Sequence, residues 1–91
     1  MSRSEAAEEQ DRAAGGRDRR MIKLADGRTP TAYVALFSGA GSRRVYAKMR
    51  YWLEGRTIEN YVGEAPGATR EERLRTAWRL AERKGLLRPR R

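Results

Sequence analysis

The chain has 91 residues, no cysteine and no histidine, and 21 Lys and Arg stand against 12 Asp and Glu for a net charge of +9. That length allows one small domain. The absent residue types remove disulfides, thiolate ligands, the commonest metal ligand and the usual neutral-pH general base, so no metal, cofactor or catalytic residue is expected. No apolar run approaches the roughly 20 residues of a spanning helix, and acids crowd Met1–Gln10 where an export signal needs an apolar stretch. A protein that is not an enzyme, cytoplasmic and nucleoid-associated, is the expectation.

Residues 1–20 carry five basic and five acidic groups and no Val, Ile, Leu, Phe, Tyr or Trp. Such a segment buries too little apolar surface to offset the entropy of ordering it, so a disordered tail is predicted. Residues 21–30 form a linker or the edge of a core. Asp26-Gly27 marks a turn, with Met21, Ile22 and Leu24 available as apolar padding.

The folded domain is expected over residues 31–87. Thr31–Ser38 reads as a first strand, ended by Gly39-Ala40-Gly41-Ser42. Arg43–Leu53 and Arg56–Gly63 read as the second and third, joined at Glu54-Gly55 by a two-residue turn. This turn pairs Leu53 with Arg56, Tyr51 with Ile58, Met49 with Asn60 and Ala47 with Val62 on one face. Trp52 with Thr57, Arg50 with Glu59 and Lys48 with Tyr61 fall on the other. For the first hairpin, a four-residue loop pairs Leu36 with Val45 and Val34 with Ala47, which leaves Tyr33, Ala35 and Phe37 on the open face. A loop one residue longer or shorter buries those aromatics instead.

Thr69 and Glu72 form the capping-box pattern of a helix whose apolar stripe is Leu74, Ala77, Trp78 and Ala81. Glu71 and Arg75 stand at i, i+4, and Gly85 ends the helix. The basic segment 88–91 closes the chain. The fold class is therefore α+β, a three-stranded antiparallel sheet packed on one C-terminal helix in the order β-β-β-α.

The remaining 16 basic and seven acidic residues, all after residue 20, account for the whole positive excess. A surplus of that size attracts polyanions, of which nucleic acid is the usual intracellular one. Alternate positions of the second strand read Arg44, Tyr46, Lys48, Arg50 and Trp52, which places cations and rings together on the face away from the helix. With Arg56 and Tyr61 these are the candidate nucleic-acid-binding residues. Arg43, Arg88, Arg90 and Arg91 are secondary phosphate contacts. The partner expected is duplex DNA, and a homodimer is allowed. The same face would also suit RNA or a single strand, or a partner protein, or it could be an ordinary solvated surface on which Lys and Arg stems cover the rings.

The three strands, the Tyr61-Val62-Gly63 ending and the Thr69-x-x-Glu72 helix start with Ala77 and Ala81 resemble the arm-type DNA-binding domain of tyrosine recombinases. They also resemble the DNA-binding domain of plant ethylene-response factors. The resemblance implies a sheet that enters the major groove with the helix behind it. It implies that Arg44, Lys48, Arg50 and Trp52 do the reading. A stand-alone DNA-binding module of this size would suit a regulator of transcription or an accessory factor of a phage, plasmid or chromosome.

Overall fold

A computed structural model describes residues 1–88. Helix α1 (Arg3–Ala14) and a 3-10 turn (Arg17–Arg20) precede strands β1 (Tyr33–Phe37), β2 (Tyr46–Leu53) and β3 (Arg56–Glu64) and helix α2 (Arg70–Arg83). The sheet is antiparallel with β2 in the middle. The α+β class and the C-terminal helix are as the pattern predicts. The helical layer, however, holds two helices.

Residues 1–20 are thus a correction. Ser2 caps α1 through a complete capping box: its hydroxyl accepts from the Glu5 N–H, and the Glu5 carboxylate accepts from the Ser2 N–H. That backbone hydrogen bond, then the hydroxyl contact, holds the Glu5 carboxyl below its ordinary pKa. What fastens α1 to the domain is polar. The Gln10 amide donates to the Val34 carbonyl and accepts from the Val34 N–H, both at 3.0 Å, so it pairs with the outer edge of β1 as a neighbouring strand would. Its oxygen also accepts from Trp78 Nε1 at 3.0 Å.

Arg20 repeats the device one step along the edge. The Ala32 N–H donates to the Arg20 backbone carbonyl, and the Ala32 carbonyl accepts from the Arg20 side-chain Nε. The guanidinium then meets Asp11 at 2.7 Å. Its charge is buried but paired.

Residues 21–30 form the core edge rather than a free linker. Ile22 is buried, Met21 bridges to Thr31, and Asp26-Gly27 turns the chain. Arg28 hydrogen-bonds the Asp26 carboxylate and lowers its pKa, and it also reaches Glu54 at 2.8 Å, tying this turn to the β2–β3 turn.

The β2–β3 register agrees with the predicted pairs from Leu53–Arg56 through Lys48–Tyr61. Glu54 and Gly55 both take positive φ, as the tight turn requires. The expected Ala47–Val62 pair is replaced by Ala47–Gly63, because a bulge between Ala47 and Lys48 leaves Val62 as an extra residue. The bulge brings Gly63 under α2 at φ 139°, where an added Cβ would lie 3.0 Å from Leu80 Cδ2. In the first hairpin the pairs are Leu36–Ala47 and Val34–Met49, two residues from those expected. A two-residue slip preserves the faces, so Tyr33, Ala35 and Phe37 stay on the open side.

Six of the twelve buried apolar residues among those described are alanine (13, 32, 47, 65, 77 and 81), which lets the helices approach the sheet closely around Met49, Leu74 and Trp78. Thr69 caps α2 through the Glu72 N–H, while the Glu72 carboxylate accepts from Ala68 rather than from Thr69 itself. At the other end Gly85 is left-handed. Its N–H meets the Glu82 carbonyl and Leu86 N–H meets Ala81, a Schellman closure that folds Leu86 onto the core.

Two stability predictions follow from these contacts. Gln10→Ala leaves two backbone groups of Val34 and the Trp78 indole N–H unpaired, and it should destabilise by about 2–4 kcal/mol in urea denaturation. Gly63→Ala combines a disfavoured φ with the Leu80 clash and should lower stability by about 1–3 kcal/mol.

Candidate nucleic-acid interface

The uncovered sheet face is set by the two-residue period of β2. Ala47 and Met49 are fully buried beneath the helices, so Tyr46, Lys48, Arg50 and Trp52 project the other way. From β1 come Tyr33 and Phe37, and from β3 Thr57, Glu59 and Tyr61. Five of the seven aromatic residues therefore share one face. Trp52 is 64% exposed, Tyr61 59%, Tyr33 41% and Phe37 38%.

Glu59 organises the centre of this face. Its carboxylate lies 3.3 Å from Lys48 Nζ and 3.4 Å from Arg50 Nε. Arg50 Nε is buried and outside hydrogen-bonding geometry with that oxygen, so the guanidinium is held near Glu59 without being saturated by it. Two cations sharing one carboxylate leave net positive charge at mid-sheet. Lys48 Nζ also stands 5.0 Å from the Phe37 ring centroid, and the Phe37 ring meets Tyr46 at 5.8 Å in a tilted pair. Such contacts fix the stem of Lys48 over a flat apolar floor.

The remaining sequence candidates are distributed around this centre. Arg44 lies just before β2, exposed, with Glu64 at 4.0 Å. Arg43 is exposed in the β1–β2 loop. Tyr61 sits opposite Lys48, and Lys84 from the end of α2 reaches the β3 edge, hydrogen-bonding the Val62 carbonyl with its Nζ 5.9 Å from the Tyr61 ring. Arg56 does not join the others. It pairs with Leu53 at the hairpin tip, and the alternation turns it toward the helix side of the sheet. Arg88 is exposed after α2, while Arg90 and Arg91 lie outside the described residues.

Tyr33 and Phe37 are functional candidates that the choice of site residues from sequence omits. The apolar-to-apolar matching of β1 with β2 is the signal that places them outward. Among the described residues there is no group of three or more carboxylates able to hold a metal ion, and no helix long and apolar enough to cross a membrane. Compared with known proteins, the chain matches no family model, and neither a curated protein nor a solved structure is significantly similar to it.

Proposed function

We propose that the protein binds nucleic acid, and duplex DNA in particular, with the open face of its sheet. The observation that carries this reading is the composition of that face: five aromatic rings around Lys48 and Arg50, four of them exposed, with no helix or strand among the described residues laid over them. Rings that large normally supply a core, yet among the described residues Trp78 alone is fully in it, with Tyr51 partly buried against it. Lys and Arg on the central strand bind phosphates or fork to guanine edges, and the major groove, about 12 Å wide, admits β-strands. A protein partner fits less well, because Lys48, Arg50 and Glu59 occupy the centre, where protein interfaces are depleted of charge.

A second reading, single-stranded nucleic acid, is favoured by one feature. Trp52 and Tyr61 offer open rings as stacking platforms while Glu59 partly occupies the cations.

Fluorescence anisotropy over a salt series tests both. Duplex affinity should fall steeply between about 50 and 200 mM salt, and Lys48→Ala or Arg50→Ala should each reduce the log–log slope by about one unit. Glu59→Gln should raise duplex affinity, since it removes the one acid at the centre of the face. Stronger binding to single strands, weakened by about 1–3 kcal/mol in Trp52→Ala, would transfer the assignment to the second reading. Absence of binding to either form at low salt would remove both.

A further inference from the structure

The helical side of the molecule carries a second concentration of cations. Arg75, Arg79 and Arg83 stand four residues apart on α2, a row of about 12 Å along the axis. They are exposed, opposite the buried stripe of Leu74, Ala77, Trp78 and Ala81. Arg12 of α1 faces Arg75 and Arg79 across a groove of about 440 Å³, whose remaining walls include Thr76 and Gly67. Among the described residues none of these four arginines has a carboxylate within 4.0 Å.

The nearby acids are engaged elsewhere or out of reach. Glu72, which lines the groove, turns back to cap the Ala68 N–H at 2.8 Å. Glu82 lies 3.6 Å from Arg19, and Glu71 does not form the expected i, i+4 pair with Arg75. Like charges at that spacing repel one another, and of the three only Arg83, in the last turn, is placed where the helix dipole favours a cation. The row has the form of a phosphate-tracking surface.

The geometry points to a second duplex-binding surface, made by Arg12, Arg75, Arg79 and Arg83, that lets one molecule hold two DNA segments, one on each side. This rests on the sheet-face reading above. Charge complementarity selects the occupant: four guanidinium groups with no carboxylate within 4.0 Å among the described residues suit a backbone of phosphates. The two faces lie on opposite sides of a body whose shortest dimension is 25 Å. That is about three Debye lengths at physiological salt, so two duplexes held this way would repel each other little.

The test uses the full chain, a duplex tethered to beads and a second, labelled duplex of unrelated sequence. The wild type should retain the labelled duplex on the beads. Arg75→Ala/Arg79→Ala/Arg83→Ala should still bind a single duplex in anisotropy but retain at least about tenfold less of the second. Alanine at exposed helix positions favours the helix, so its melting temperature should not fall.

Retention by the triple variant equal to that of the wild type, or a wild type that binds one duplex and retains no other, would overturn the bridging surface and leave the sheet-face reading standing. Loss of single-duplex binding in the triple variant, with none in Lys48→Ala/Arg50→Ala, would instead overturn the sheet-face reading and bridging together.

Discussion

The open face of the sheet traces to the alternation of side chains along β2. With Ala47 and Met49 sealed beneath the helical layer, a shift of one residue would drive Lys48 and Arg50 into a core that offers them no partner. The penalty for that slip fixes the strand, and the fixed strand then exposes cations and rings on the opposite side. The two-residue Glu54-Gly55 turn carries the same alternation into β3, which is why Glu59 arrives between Lys48 and Arg50 and not beneath α2.

The helical layer is a different kind of construction. Its contacts with the sheet are made largely by alanines, which bury little area each, so specificity comes from Trp78 and from hydrogen bonds to named backbone atoms. Gln10 joins α1, β1 and α2 through one amide group. Arg20 extends the arrangement to Ala32, with Asp11 neutralising its charge. These polar contacts settle the position of a helix whose own sequence has no large apolar residue between Arg3 and Ala14.

That contrast explains how much could be read from the residues alone. The strands, the β2–β3 register up to Lys48–Tyr61, the capped helix and the outward row of β2 are all periodic or punctuated features, and periodicity survives without tertiary information. Residues 1–20 carry the punctuation of a helix, Ser2-x-x-Glu5 at the start and Gly15 at the end, but no apolar stripe to show that it packs. An Ala-rich, charge-balanced stretch resembles a disordered segment until Gln10 and Arg20 find the β1 edge, and nothing local to them announces that edge. The bulge at Val62 and the longer β1–β2 loop likewise depend on packing against α2 and on the path of residues 38–45. The candidate site was accordingly legible along β2 and at Tyr61. The predicted Leu53–Arg56 pair already turns Arg56 to the helix side, so its choice as a site residue runs against the register. The groove was not legible, because it requires α1 to be folded.

The two borders of the sheet are unequal. On β1 and just before it, the outward amide and carbonyl groups of Val34 and Ala32 are already satisfied from within the chain. On β3, the other border, the one side chain hydrogen-bonded to a strand carbonyl is Lys84, among the described residues. An arriving strand therefore finds its hydrogen-bonding ladder mainly along β3. Two copies that met there would use up that ladder in each other, so association of this kind closes at a pair and has little means of growing into a fibre.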